Sequence, residues 1–182
     1  MGARIMASFP EAIGKTLLWE GAYSSNPSDS GGETYRGISR KNWPNWAGWP
    51  LIDRAKLMHD ISLVQFPNDL QFLVNLQALV VSFYRENFWR YDGLNDQQVA
   101  DKVFDLSVNV GRVHAVKILQ QIVGVNADGA YGPETEKAVN LHPQGSLTQQ
   151  IRAAAEQYHK QIVQAYPQDA IFLAGWLKRD SA

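Results

Sequence analysis

The chain has 182 residues, 45% of them hydrophobic, 11% aromatic and 19% charged, with a formal net charge of −1. That is the composition of a folded protein with one good-sized core or two smaller ones, and it excludes disordered and fibrous classes. No Lys/Arg run is long enough to track phosphates, so nucleic acid is not an expected partner. The absence of cysteine excludes disulfide frameworks, thiolate zinc sites and a Cys nucleophile.

The first predicted element is a helix opening at Ser8. Ser8 and Glu11 have capping-box spacing, and Pro10 falls in the first turn, where its missing N–H does no harm. The helix is expected to end near Gly21. At roughly 100° per residue, Phe9, Ile13, Leu17 and Glu20 share one narrow sector, which puts Glu20 on the apolar face. A carboxyl group half in a core and half over an open loop is in the right place for a raised pKa, the usual route to a general acid.

From Ser24 to Pro50 glycine and proline break the periodicity, and Glu33–Ser39 is expected to form a short strand of a small hairpin. Trp43, Trp46 and Trp49 recur every third residue in this stretch, a pattern that serves core packing of a long loop or the stacking of sugar rings. Helical periodicity returns near Leu51 and is strong from Asp69 to Trp89. Asp96 is the expected N-cap of a helix through Val108, and Gly111 breaks it. A helix from about Val113 ends at Gly124, placed as a C′ glycine. Asp128-Gly129 makes a turn, and Pro133 opens the next helix with Glu134 at its positive end. Ser146 and Gln149 repeat the capping-box spacing before a helix through Ile162, and a last short helix is expected over Asp169–Lys178. The chain reads as mainly α with one small hairpin or irregular region after the first helix. Its expected division is 1–94 and 95–182, packed together.

Cleaving a glycosidic bond needs a protonated carboxylic acid at the leaving oxygen and usually a second carboxylate. Glu20 suits the first role. Asp29, nine positions on in a polar loop, suits the second, and Thr34 follows as a group to hold water. The competing reading makes Glu20 a surface residue at a fraying helix end and Asp29 a turn former. Ser28-Asp29-Ser30-Gly31-Gly32 follows no strand and carries no Lys, so it is not a Walker-type loop. His59, His114, His142 and His159 have no metal-ligand spacing, and Ser82 and Ser107 lack a nucleophile elbow.

Glu20-Gly21-Ala22-Tyr23, followed by Asp29-Ser30-Gly31-Gly32-Glu33-Thr34-Tyr35-Arg36-Gly37-Ile38-Ser39, resembles the signature of glycoside hydrolase family 108. The second half resembles the predicted peptidoglycan-binding domain that accompanies it. That likeness rests on Phe104–Gly111, on Ala115–Gln120, on Asp128-Gly129 with Gly132-Pro133-Glu134-Thr135, and on Gly175–Arg179. The resemblance spans roughly Phe9 to Arg179. It implies a lysozyme-like helical fold and an N-acetylmuramidase that cuts the β-1,4 bond between N-acetylmuramic acid and N-acetylglucosamine. Family members are described as secretion activators and as phage endolysins.

The family's essential Glu falls on Glu20. Its motif has a second glycine where this chain has Ala22, and an alanine held at φ > 0 there would cost roughly 1 kcal/mol. Glu20, Asp29 and Thr34 also resemble the catalytic Glu, Asp and Thr of bacteriophage-type lysozymes, with one residue fewer between Asp29 and Thr34. Tyr23, Tyr35, Trp89 and Asn109 are the expected groove-lining residues. The resemblance implies no metal or organic cofactor, and the expected partner is the peptidoglycan glycan strand, met by a monomer. A lytic transglycosylase and a non-catalytic wall-binding, secretion-assisting protein are the rival readings. Met1–Phe9 has no apolar core of signal-peptide length, and Ala78–Tyr84 is too short to span a bilayer. Synthesis in the cytoplasm and action on the cell wall are therefore expected.

Overall fold

The computed structural model describes residues 6–25, 32–60, 63–143 and 145–182. Along the chain these form α1 (Phe9–Thr16), β1 (Tyr23–Ser25), β2 (Glu33–Tyr35), β3 (Ile38–Ser39), α2 (Trp49–Asp60), α3 (Val74–Phe88), α4 (Gln97–Val110), α5 (Arg112–Val123), α6 (Pro133–Leu141), α7 (Leu147–Ala165) and α8 (Ala170–Ser181). Single 3-10 turns at Asn68–Phe72 and Pro167–Asp169 precede α3 and α8. Contacts group the chain into two units: residues up to Thr16 with Phe88–Ala182, and Leu17–Asn87. The boundary is drawn otherwise than at 94/95, because α1 packs on α4 and so belongs with the second half of the chain.

Helix α1 is shorter than its sequence pattern suggests. Phe9, Ala12, Ile13 and Thr16 form an i, i+3, i+4, i+7 stripe, all buried, and the helix lasts as long as that stripe does. Gly14 and the β-branched Thr16 are weak helix formers, so little propensity carries the helix onward. Residues 17–19 form a turn in which Leu18 is 83% exposed. Glu20 therefore stands in a bend leading to β1, not on the apolar face of a helix.

In the helical unit, Phe9 packs against Trp89 and Phe104 with ring centroids 5.4 and 5.7 Å away. Helix α4 packs against α1, α5 and α7 and buries Val99, Ala100, Val103, Phe104 and Leu106. Asp96 caps it by accepting from the backbone N–H groups of Gln98 and Val99. Gly124 closes α5 in the left-handed region at φ 75°. The expected capping box of α7 does not form. Ser146 makes no side-chain cap, and its hydroxyl donates to the Pro143 carbonyl instead. Ser8 is likewise held from elsewhere: its N–H donates to Gln97 Oε1 at 2.6 Å and its carbonyl accepts from Gln97 Nε2.

Two of the sequence motifs in this unit turn out to be fastenings. Arg179 makes bidentate contact with Asp105, at 3.0 Å from Nε and 2.9 Å from Nη2. The Arg179 carbonyl accepts from buried Lys102, whose pKa burial pushes down. Gln120, buried on α5, donates to Asp128, to the Ala130 carbonyl and to Thr135, and accepts from the Gly129 N–H. One side chain thus holds both ends of the Asp-Gly…Gly-Pro-Glu-Thr turn.

The hairpin unit holds an antiparallel sheet in the order β1-β2-β3, with Tyr23 opposite Tyr35 and Thr34 opposite Ser39. Residues Arg36 and Gly37 form its two-residue loop, and both have positive φ, 48° and 77°, as a tight hairpin of this kind requires. In the same unit Tyr35, Ile38, Trp49, Ile52, Leu70, Leu76, Val80 and Tyr84 are each buried.

Candidate active site

Glu20 is half-buried and lies against the tip of the hairpin. The contact is so close that a Cβ on Gly37 would sit 2.9 Å from the Glu20 carboxyl carbon and 2.6 Å from the Tyr84 hydroxyl oxygen. Tyr84 reaches this point from the buried face of α3 and donates to the Arg36 carbonyl at 2.6 Å. The Arg36 N–H in turn donates to the Ala22 carbonyl at 2.9 Å, extending the β1–β2 ladder to the residue two beyond Glu20. The Tyr84 hydroxyl and the Arg36–Ala22 backbone bond thus fix the hairpin tip against which the Glu20 carboxyl rests. Ala22 sits there without strain, for among the described non-glycine residues Arg36 has the positive φ.

The other described carboxyl group of the hairpin, Glu33, is occupied. It accepts from Lys56 Nζ at 2.6 Å and Tyr23 Oη at 3.0 Å, and pairs with Arg40 Nε at 2.7 Å. Burial would raise its pKa, but these donors outweigh burial and hold it below the usual carboxylate range. Asp53 is also held low, chiefly by its hydrogen bonds from Arg40, with burial opposing. The Arg40 guanidinium lies over the Trp49 ring, 4.4 Å from its centroid. Sequence reasoning missed this network. Glu33 and Lys56 are 23 residues apart, and no local spacing announces their meeting.

Of the expected site residues, Asp29 lies outside the described residues. Thr34 is half-buried on β2, on the sheet face opposite Glu33 and Tyr35. Tyr23 is half-buried beside Glu33, with Lys56 5.6 Å from its ring centroid. Tyr35 is only 2% exposed, with its hydroxyl accepting from Gln77 at 2.8 Å, so it is a core residue of the hairpin unit and not a groove wall. Trp89 is also 2% exposed and belongs to the helical unit, where it packs on Phe9, Tyr91 and Phe104 and donates to Asp92. Asn109, in the same unit, lies 3.5 Å from His159 Nε2. His159 is buried, paired with Asp180 at 2.7 Å and stacked on Trp176. Two large aromatics flagged as sugar contacts are therefore packing residues. Tyr84, which does reach Glu20's surroundings, carried only the signal of a core stripe with Leu76 and Val80.

Trp49 is buried and donates to the Trp43 carbonyl at 2.7 Å, whereas Trp43 is 39% exposed. The loop between them and one face of α3 line an open groove of about 440 Å³. Among the described residues no group of three or more His, Cys, Asp or Glu side chains is placed to hold a metal ion, and no helix is long and apolar enough to cross a membrane.

The family model described as Glycosyl hydrolase 108 matches residues 13–111, which include Glu20 and the whole hairpin. The one described as Predicted Peptidoglycan domain matches residues 114–181, which include Gln120 and Arg179. The chain is also similar to a solved structure, "Structure of Brucella abortus SagA", at 26% identity and a TM-score of 0.64, over 95% of this chain and 89% of that one. No curated protein matches it. The mainly α architecture with a small hairpin after the first helix is the one read from the residues, and it is the lysozyme-like fold that the family resemblance implies. With its first half matched through the Glu20 hairpin and its second through the Gln120 turn, the chain belongs to the glycosyl hydrolase 108 family.

Proposed function

We propose that this glycoside hydrolase of peptidoglycan is an N-acetylmuramidase, with Glu20 protonating the leaving oxygen of the β-1,4 bond between N-acetylmuramic acid and N-acetylglucosamine. The observation that carries the reading is the seating of the Glu20 carboxyl against Gly37 and Tyr84, half-buried at the hairpin tip. A general acid must be held still and partly out of water. Glu33 cannot serve, because its three donors favour the ionised form. Asp29, with Thr34, fills the second role, positioning water or supporting the oxocarbenium-like charge. The matching of residues 114–181 to a peptidoglycan domain supports the choice of substrate.

The test is a turbidity assay on purified peptidoglycan, comparing wild type with Glu20→Gln. General acid catalysis contributes about 10²–10⁴-fold, so turnover is expected to fall by that factor while wall binding persists. Retained turnover would remove Glu20 from the role. Mass spectrometry of the products decides the chemistry: hydrolysis adds water at the new reducing end, whereas an anhydro product would replace hydrolase with lytic transglycosylase.

A further inference from the structure

We infer that the groove between the Trp43–Ala47 loop and α3 is a second carbohydrate site, one that holds an N-acetylhexosamine ring of the glycan strand and takes no part in bond cleavage. Helix α3 presents two stripes. Leu76, Val80 and Tyr84 are buried, and Tyr84 reaches the hairpin tip beside Glu20. Leu79, Ser82, Phe83 and Glu86 form the other stripe, about a third of a turn away, and line the groove. The groove and the Glu20 cradle are therefore separate faces served by one helix.

The wall opposite α3 is built to present flat rings. Trp43 and Phe83, which both line the groove, pack perpendicular to one another with centroids 4.8 Å apart, and Trp43 keeps 39% of its surface exposed. Its backbone is pinned by the buried Trp49 indole, and Trp49 is covered by the Arg40 guanidinium. The Trp46 ring packs against Gly48, where a Cβ would come within 2.5 Å of it. Its indole N–H is buried and has no acceptor among the described residues.

The polar lining matches the same ligand. Asn42 and Asn45 offer amides, and Glu86 offers a carboxylate. Rings for stacking, with amides and hydroxyl acceptors at the rim, suit an N-acetylated sugar. Among the described residues no Lys or Arg lines the groove, so an anionic ligand has no counter-charge from them there. The volume lies in the range of small-molecule sites.

This inference rests on the reading of the protein as acting on a glycan, and the experiment separates the two. The probe is the tetramer of N-acetylglucosamine, with binding followed by intrinsic Trp fluorescence and by titration calorimetry, and turnover followed on peptidoglycan. Trp43→Ala is expected to weaken tetramer binding about tenfold, the equivalent of about 1.4 kcal/mol, and to raise KM with kcat unchanged. Trp43→Tyr, which keeps a flat ring, is expected to restore most of the binding. Unchanged affinity in Trp43→Ala, or binding of free stem peptide in place of the sugar, would overturn the groove as a sugar site, whatever Glu20→Gln does. Full turnover in Glu20→Gln alongside lost binding in Trp43→Ala would overturn the proposed catalytic reading and leave the groove standing.

Discussion

Gly37 is the one residue type that lets the Glu20 carboxyl rest against the hairpin tip. Its φ of 77° disfavours any side chain, and a Cβ would run into both Glu20 and the Tyr84 hydroxyl. Gly37→Ala is expected to cost about 1–2 kcal/mol from the backbone conformation alone. Because the added methyl displaces the carboxyl, hydrolysis should fall by more than the loss of folded protein explains. Activity per folded molecule, measured well below the melting midpoint, checks this.

Tyr84→Phe removes a single hydroxyl from the same cradle. It leaves the Arg36 carbonyl without its 2.6 Å donor and takes away one neighbour of the Gly37–Glu20 contact. The expected stability loss is about 1 kcal/mol. A fall in kcat with little change in KM would place the hydroxyl among the groups that position Glu20. An unchanged kcat would confine it to the hairpin's architecture.

The Glu33 network predicts a pH dependence. Its folded pKa is depressed, so it contributes stability that is fully present above the unfolded carboxylate pKa, near 4.5, and is lost as pH falls through the lower folded value. Glu33→Gln is expected to cost about 1–2 kcal/mol at pH 7. The difference between wild type and variant should shrink below about pH 4.5. Urea midpoints measured from pH 7 to pH 3 give the comparison, and a difference that stayed constant would show that ionisation of Glu33 does not carry the effect.

Gln120→Ala tests the other fastening. The substitution strips partners from Asp128, Thr135, the Gly129 N–H and the Ala130 carbonyl together. A loss of about 2–3 kcal/mol is expected by chemical denaturation. Since Gln120 is far along the chain from Glu20, kcat of the remaining folded protein should hold.

The helices were legible because their signals are local. Asp96 as N-cap, Gly111 as break, Gly124 as C′ residue and Pro133 at the first position of α6 each act within one turn of the chain. The hairpin over 33–39 was legible for the same reason. The end of α1 was not. Its apolar pattern runs on to Glu20, but the burial that sustains the helix stops at Thr16, and a helical wheel carries no information about where a packing partner ends. The Ser146 capping box failed similarly, since a sequence spacing cannot say where the hydroxyl will find its acceptor. In the candidate site, Glu20 was visible from its motif. Tyr84 and Lys56 were not, because they arrive from α3 and α2, and only the folded chain brings them to the hairpin. Tyr35 and Trp89 misled because an aromatic side chain reads the same in a core and in a groove.

The sheet that carries Glu20's cradle has strands of only two or three residues, too short to resist fraying by its ladder alone. What clamps it to α2 is the cluster of Arg40, Glu33, Lys56 and Asp53. The free energy of local opening at the hairpin is then set by charges that are partly open to solvent, and it should depend on ionic strength. Amide exchange of Arg36 and Arg40, whose N–H groups donate to the Ala22 and Glu33 carbonyls, is expected to quicken with added salt, while exchange in α4, protected by apolar burial, stays put. The rigidity of Glu20's seat would thus be a property of the medium as well as of the fold.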